Sequence, residues 1–293
     1  MKKSNKYYFI IIIVVILTLI LVYKNTNESF QGTGNQQAYD IIVIAGQSNA
    51  EGAGSSGTSR YTDDQNNTED SDIKQFAHDN STIKAGKEQL DNLRGEGGGS
   101  YGFGMSFARA YKSAGKLTPG RKILLINCAW KSTGFLDYYE NTNKIWTIHN
   151  DNRSLYYLAK QRILAAKNNI NSSSRVVAIL WHQGEADAVK VTQPSKKQDY
   201  INKLVTMLTT LRTDIQDSTI PILMGGLCPS ALDIPGYNTM NNTIQEIVRT
   251  NAASHFKFVD SSGLSHDTNA GAKHFSKSSQ IEFGKRYFNV YNN

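Results

Sequence analysis

Five short apolar runs are spaced along the chain, and they constrain its fold more than any other feature. Each run is four to seven residues long, and none alternates regularly between apolar and polar residues. Such runs are typical of strands that are buried on both faces, as in a parallel sheet covered by helices. The runs are DIIVIA (40–45), KILLINC (122–128), RVVAILW (175–181), IPILMGG (220–226) and FKFVD (256–260).

Segments with apolar residues at helical spacing separate these runs. In one of them Tyr200, Leu204, Leu208 and Leu211 share a face of a predicted helix. The predicted helices cover residues 103–114, 155–167, 199–211, 240–252 and 276–291. Strands that alternate with helices predict an α/β domain, with a parallel sheet, helices on both faces and right-handed crossovers.

Residues 52–101 differ from the rest of the chain. They contain polar and glycine-rich clusters such as SSGTSRYTDDQNNTEDSD and RGEGGGS, with few apolar residues. We expect a long excursion with little regular structure, of a kind that is often functional.

The N-terminal segment 7–23, YYFIIIIVVILTLILVY, carries no charge and is close to the shortest length that spans a bilayer. Lysines precede it, so the positive-inside rule places residues 1–6 in the cytoplasm. We therefore predict a single-pass membrane protein with a transmembrane signal-anchor, a polar linker over 24–38 and an extracytoplasmic domain over 39–293. Cleavage as a signal peptide, which would release the domain, is the alternative.

Charge and cysteine content exclude some classes of partner and site. The net charge is +7, but lysines and arginines form no dense run, so we expect no nucleic-acid partner. Cys128 and Cys228 match neither a disulfide framework nor a metal site. Each ends an apolar run, so two buried thiols are expected, with a single bridge between them as the alternative.

The first apolar run ends in the turn Gly46-Gln47-Ser48-Asn49. Glycine allows a sharp turn here, and sites in open parallel sheets lie beyond the carboxyl ends of the strands. Ser48 is therefore either a nucleophile presented at the sheet edge or only the N-cap of the next helix.

Two other strand ends carry residues that a nucleophilic serine needs. The third run leads into WHQGEADA and the fifth into DSSGLSHDTNAGAKHFS, which supply acids and histidines. The candidates are His182, Glu185, Asp187, Asp260, His266, Asp267 and His274. Serine, acid and histidine from different strand ends converge on one edge of a sheet, which is what acyl transfer requires.

Three motifs together resemble a known family. GQSNAEG, WHQGEADA and KHFSKSSQIEFGKRY look like the SGNH-hydrolase superfamily, and more closely like its sialate O-acetylesterase-like domains and carbohydrate esterase family 6, the acetylxylan esterases. The resemblance covers about residues 38–293. It implies a three-layer α/β/α flavodoxin-like fold with about five parallel strands, no cofactor and no metal, and an acetylated carbohydrate as substrate.

The resemblance also implies roles for individual residues. Ser48 matches the nucleophile and His274 the general base. The backbone N–H groups of Ser48 and Gly102 and the side-chain amide of Gln183 match the oxyanion hole. The supporting residues of the pocket are then Gln47, Asn49 and His182.

The sequence departs from the family at the acid. Many relatives carry Asp three residues before the histidine, where this chain has Gly271. Glu185, which the resemblance places in the pocket, is the first choice to orient His274, Asp267 is the second, and a dyad without an acid is the third. His266 is a rival base that lacks the Phe-Ser helix start found after His274.

Two alternatives remain at this stage. The departure at Gly271 favours a non-catalytic, anchored glycan-binding or surface protein on an esterase scaffold. Tyr138, Tyr139 and Trp146 are either a sugar-binding platform or ordinary core and surface aromatics. A nucleotide site is disfavoured, because GQSNAEGAG has neither the Lys-Ser/Thr of a P-loop nor dinucleotide spacing.

Overall fold

The computed structural model describes residues 37–52, 69–97, 100–137, 143–168 and 170–293. Residues from Gln37 onward form one compact unit. The predicted transmembrane segment 7–23 lies outside the described residues. Within those residues, no helix has the length and apolar character needed to cross a membrane.

One seven-stranded sheet organises the fold, in the order β3-β2-β4-β1-β5-β6-β7. All neighbouring strands are parallel except β3, which runs antiparallel to β2 at one edge. The strands are β1 (Ala38–Gly46), β2 (Ile73–Phe76), β3 (Ile83–Ala85), β4 (Arg121–Asn127), β5 (Arg175–His182), β6 (Ile222–Gly225) and β7 (Phe256–Val259).

The predicted fold class is therefore wrong in its sheet, which is mixed and has seven strands rather than about five parallel ones. The five apolar runs form β1, β4, β5, β6 and β7 as predicted, but β2 and β3 lie in the segment that was expected to be irregular. Both are short, and lysine or glutamine fills half of β2, so they lack an apolar run. The α/β class itself is confirmed.

Helices cover both faces of the sheet. They are α1 (Ser48–Glu51), α2 (Gly104–Ser113), α3 (Leu155–Asn168), α4 (Pro194–Asp214), α5 (Tyr237–Thr250) and α6 (Lys277–Asn292). Helix α2 packs against α6, whereas α4 contacts both α3 and α5. The two groups lie on opposite faces of the sheet, because right-handed crossovers that run in opposite directions along a sheet pack on opposite faces. The chain moves from β1 to β4 in one direction and from β5 to β7 in the other. The two cysteines are buried and free, as the first alternative expected.

The end of β1 meets the end of β5 at the point where the strand order reverses, which is where open α/β sheets bind ligands. Gly46 pairs with His182 across these strands, and the Gln47 N–H donates to the His182 carbonyl at 2.9 Å. A Cβ at Gly46 would lie 1.9 Å from the same carbonyl oxygen, and its φ is +132°. Glycine is therefore required for β1 to end this close to β5 and to turn into Ser48.

Candidate active site

Ser48 and His274 lie in contact although 226 residues separate them in the sequence. Ser48 is the first residue of α1 and has 6% of its surface exposed. His274 precedes α6, and its Nε2 lies 3.0 Å from Ser48 Oγ. The structure thus joins the two residues that the sequence predicted as nucleophile and general base.

The backbone of a turn orients the His274 ring. His274 Nδ1 lies 2.8 Å from the Ala270 carbonyl oxygen. Because a carbonyl only accepts hydrogen bonds, the ring proton sits on Nδ1 and Nε2 is left to accept the Ser48 hydroxyl proton. Asp267 builds this turn, since its carbonyl accepts the Ala270 N–H at 3.1 Å and its Oδ1 accepts the Asn269 N–H at 2.9 Å.

The two predicted acids have other partners. Within the described residues, neither carboxylate is hydrogen-bonded to His274. Glu185 Oε1 lies 3.1 Å from His182 Nε2 and accepts from Asn49 Nδ2 at 2.8 Å. Asp267 contacts His274 through the backbone, where its N–H donates to the His274 carbonyl at 2.8 Å. Its Oδ2 is buried and has no hydrogen-bond partner among the described residues.

Gly271, which occupies the position that many relatives give to aspartate, has a φ of +84° and open space around its Cα. Its carbonyl accepts the His274 N–H at 3.1 Å. The left-handed conformation here favours glycine over other residues. The loop before His274 is thus shaped by backbone hydrogen bonds.

Asn49 connects the serine to the histidine segment. Its Nδ2 donates to the Lys273 carbonyl at 2.9 Å and to Glu185 Oε1, and its Oδ1 accepts the Phe275 N–H at 3.1 Å. Gln280 Nε2 also donates to this Oδ1, at 3.3 Å. Asn49 is fully buried, so a single amide holds the residues on both sides of His274 beside the helix that begins at Ser48.

Glu185 and His182 form a buried pair beneath this amide. Burial raises the pKa of Glu185, but attraction to His182 and the hydrogen bonds from His182, its own backbone and Asn49 outweigh that effect. The pKa of Glu185 therefore lies below its ordinary value, and the carboxylate is an ionised acceptor. The hydrogen-bond partners of this carboxylate are Asn49 and His182.

Gln183 lies in a closed network behind the site. Its Nε2 donates to the Thr133 carbonyl at 3.2 Å and to Asp187 Oδ2 at 3.0 Å, and its Oε1 accepts the Tyr200 hydroxyl at 3.0 Å. Asp187 also accepts the Phe135 N–H. Gln183 is fully buried, and both hydrogens of its amide are committed to these acceptors.

The backbone N–H of Gly102, which was predicted to be an oxyanion donor, is also hydrogen-bonded within the protein. Its N–H donates to Glu88 Oε2 at 3.2 Å. Burial raises the pKa of Glu88 to about 8, against the opposing effects of Gly102, Arg109 and the Met105 backbone. Sequence reasoning missed Glu88, because it lies in the segment interpreted as an irregular loop and belongs to no motif.

The remaining predicted residues take other places. His266 Nδ1 lies 2.7 Å from Ser230 Oγ, which makes a second Ser-His pair. Trp146 is fully buried against Trp181, with ring centroids 4.9 Å apart, so it is a core residue and not a sugar platform. Tyr138 and Tyr139 lie outside the described residues. In the part of the chain that the structure describes, no three His, Cys, Asp or Glu side chains cluster as metal ligands.

The chain matches a known family over nearly all of the residues from Gln37 onward. Residues 38–293 match the model of a family described as carbohydrate esterase, sialic acid-specific acetylesterase. No curated protein sequence matches the chain.

Solved structures with a similar fold include a protein from Arabidopsis thaliana, with a TM-score of 0.67 and 21% identity over 87% of this chain and 98% of that one. NanS is similar, with a TM-score of 0.68 and 17% identity over 88% of this chain and 97% of that one. A carbohydrate acetylesterase from Xanthomonas citri has a TM-score of 0.52 and 15% identity over 87% of this chain and 57% of that one. At these identities the likeness concerns the fold alone.

The Asn49 contacts predict a stability effect. Asn49→Ala leaves Glu185 Oε1, the Phe275 N–H and the Lys273 carbonyl without this partner, and we expect a loss of about 2–4 kcal/mol in the free energy of unfolding. Denaturant unfolding measures it. Asn202→Ala, on the exposed face of α4, is the control and is expected to change stability by at most about 0.5 kcal/mol. Equal effects of the two substitutions would contradict the role given to Asn49.

The raised pKa of Glu88 predicts a pH-dependent stability. In the folded chain Glu88 keeps its proton up to about pH 8, whereas in the unfolded chain it ionises near its ordinary value of 4.5. The folded state therefore binds more protons between these values, so this group makes stability fall as pH rises through that window.

We expect Glu88→Gln to remove this contribution. The melting temperature of the variant minus that of the wild type should therefore be larger at pH 8 than at pH 5. Glu96→Gln replaces an exposed acid of the same segment and serves as the control. Thermal unfolding at both pH values provides the measurement. A constant difference between Glu88→Gln and wild type across this range would show that Glu88 ionises normally.

Proposed function

This chain belongs to the family of sialic acid-specific carbohydrate acetylesterases and is a carboxylic ester hydrolase, and we propose that it removes O-acetyl groups from a carbohydrate with Ser48 as nucleophile. The observation that carries the proposal is the 3.0 Å contact between Ser48 Oγ and His274 Nε2. The tautomer set by the Ala270 carbonyl leaves Nε2 able to take the serine proton.

The acylation step follows from this pair. Ser48 Oγ attacks the carbonyl carbon of the ester while His274 Nε2 takes the hydroxyl proton. The tetrahedral intermediate collapses when the bond to the sugar oxygen breaks, and His274 returns its proton to that oxygen. The products of this step are the free sugar hydroxyl and an acetyl group bound to Ser48.

Deacylation repeats the same steps with water. His274 Nε2 takes a proton from a water molecule, and the resulting oxygen attacks the acetyl-serine carbonyl. Collapse of the second intermediate releases acetate, and His274 returns the proton to Ser48 Oγ. No redox change or added cofactor enters this balance.

A main-chain carbonyl takes the place that a carboxylate has in a Ser-His-Asp triad. The Ala270 carbonyl accepts the Nδ1 proton at 2.8 Å, which holds the ring in the reactive tautomer. A carbonyl dipole stabilises the imidazolium less than a full negative charge would. The proposal therefore corresponds to the third alternative from the sequence, a dyad of Ser48 and His274.

The flanking lysines favour an acidic sugar over a neutral one. Lys273 is exposed directly before His274 and lies 5.5 Å from the Tyr237 ring centroid, and Lys277 lies 4.6 Å from the Tyr101 ring centroid. Positive charge beside a site raises the local concentration of anionic substrates. We propose O-acetylated sialate rather than acetylated xylan.

The substrate proposal is tested by kcat/KM for O-acetylated sialate and for neutral acetylated xylooligosaccharides. We expect a preference for sialate that decreases as salt is added, because salt screens exposed charges. Lys273→Gln should reduce this preference. Lys167→Gln, which changes a lysine on α3, is the control and should leave the preference unchanged. A preference for the neutral substrate would contradict the proposal.

The nucleophile is tested by Ser48→Ala with p-nitrophenyl acetate. We expect kcat to fall by about 10⁴-fold or more, because the covalent step is lost. Ser230→Ala changes the other Ser-His pair and should retain activity. Equal rates for Ser48→Ala and wild type would exclude Ser48, and glycan binding without turnover by the wild type would favour the non-catalytic alternative.

The dyad is tested by the variants Asp267→Asn and Glu185→Gln. Each keeps an oxygen that can accept the hydrogen bonds seen at Oδ1 or Oε1, and we expect kcat to fall by at most about tenfold. A carboxylate that oriented His274 would instead cost about 10⁴-fold when changed to its amide. A loss of that size with an unchanged melting temperature would identify that acid as the third member of a triad.

A further inference from the structure

Trp130 lies beside the turn that carries Ser48. The pairing of β1 with β4 continues past the end of β4, where the Trp130 N–H donates to the Gly46 carbonyl at 3.1 Å. The carbonyl of Trp130 accepts the Thr133 hydroxyl at 2.6 Å. Because Gly46 is two residues before Ser48, these bonds hold Trp130 at the sheet edge where the proposed nucleophile emerges.

The segment 130–136 crosses this edge of the sheet from β4 to β5. At its far end the Thr133 carbonyl accepts the Gln183 amide at 3.2 Å, and the Asp187 carboxylate accepts the Phe135 N–H at 2.9 Å. Gln183 and Asp187 follow β5, and β1 lies between β4 and β5 in the sheet. The segment therefore passes the carboxyl end of β1 and forms one wall of the site.

Trp130 is the accessible tryptophan of this chain. The sequence has three tryptophans, of which Trp146 and Trp181 have 0% and 1% of their surface exposed. Trp130 packs against the core but is partly exposed. Sites for small molecules are lined largely by apolar and aromatic side chains, with a few polar groups that fix orientation. A partly exposed indole on the wall of the site supplies such a surface.

Lys144 places a positive charge next to this indole. Its Nζ lies 5.1 Å from the centroid of the Trp130 ring, within the range of attraction between a cation and an aromatic face. The ammonium also donates to the Asn152 carbonyl. Among the described residues no carboxylate forms an ion pair with Lys144, so its charge is not neutralised at short range. An anion bound at the indole would meet this charge.

We propose that Trp130 determines specificity by binding the sugar of the substrate. Its indole packs against the C–H face of the acetylated sugar, and the Lys144 ammonium pairs with the carboxylate of an acidic sugar. A sugar acid offers both groups, whereas a neutral sugar offers the C–H face alone. This inference rests on the proposed function, because the acetyl ester must reach Ser48. It gives Trp130 the platform role that the buried Trp146 does not have.

The first measurement is acrylamide quenching of tryptophan fluorescence in Ser48→Ala, which binds the ester without turning it over. Quenching requires collision, so it reports Trp130 and not the two buried indoles. We expect saturating O-acetylated sialate to lower the quenching constant by about twofold or more, because a bound sugar covers the indole. Trp130→Phe in the same background should remove both the quenching and the protection.

The second measurement separates sugar binding from the chemical step. Trp130→Ala should raise KM for O-acetylated sialate by about tenfold and leave kcat within about threefold of wild type, because it removes binding shared by the ground state and the transition state. Trp130→Phe keeps an aromatic face and should restore most of the affinity. Hydrolysis of ethyl acetate, which has no sugar, should be unchanged in both variants. Lys144→Gln should also raise KM for O-acetylated sialate, and added salt should reduce its difference from wild type.

Tyr291→Ala is the matched control. Tyr291 is also a partly exposed aromatic residue, but it lies in the last turn of α6, at the opposite end of the helix that follows His274. We expect Tyr291→Ala to leave KM for O-acetylated sialate within about threefold of wild type.

The inference is overturned if bound O-acetylated sialate leaves the quenching constant unchanged, or if Trp130→Ala keeps KM within about threefold of wild type. It is also overturned if Trp130→Ala slows hydrolysis of ethyl acetate as much as hydrolysis of the sugar ester, since the indole would then only support the fold. Failure of the wild type to hydrolyse O-acetylated sialate would instead overturn the proposed function itself.

Discussion

The side chain of Asn49 makes the interaction on which the arrangement of this site depends. Ser48 follows β1 and His274 follows β7, so the sheet alone brings them only to the same edge. The Asn49 amide then binds the backbone on both sides of His274 and the Glu185 carboxylate after β5. Because an amide offers both donors and an acceptor, one buried residue fixes two segments relative to Ser48. A substitution that removes the Asn49 amide would therefore move His274 away from Ser48 rather than only weaken the core.

Orientation of His274 by the Ala270 carbonyl has a chemical consequence. A carboxylate behind the histidine both fixes the tautomer and stabilises the positive charge that forms on the ring, whereas a carbonyl fixes the tautomer and stabilises the charge less. In the proposed reaction, stabilisation of the opposite charge, on the oxyanion, then carries more of the rate enhancement. Glu185 contributes through Asn49, as an ionised acceptor whose pKa is held below its ordinary value by His182.

Much of the fold could be predicted from the sequence, and the reasons are visible in particular elements. β1, β4, β5 and β6 are apolar runs that are largely buried on both faces, and β7 is a partly buried run at the sheet edge, so their patterns predict strands. β2 and β3 are short strands with polar residues at one side of the sheet, and they depend on tertiary contacts such as the buried Arg162 guanidinium, which donates to the Phe76 and Ala77 carbonyls. The pairing of Ser48 with His274 followed from motif resemblance. Motif resemblance did not predict which way the Gln183 amide points or which group accepts the Gly102 N–H. Both depend on side chains that lie many residues away in the sequence, Tyr200 and Glu88.

The proposed reaction requires that Ser48, activated by His274, carries the acyl group during turnover. The most direct measurement is rapid acid quenching of the reaction with p-nitrophenyl acetate, followed by peptide mapping to locate the acetyl group. We expect an acetyl group on the peptide that contains Ser48 during turnover, and none on that peptide after the substrate is exhausted. An acetyl group that accumulates on the peptide containing Ser230, or turnover by a Ser48→Ala variant that acquires an acetyl group elsewhere, would contradict it.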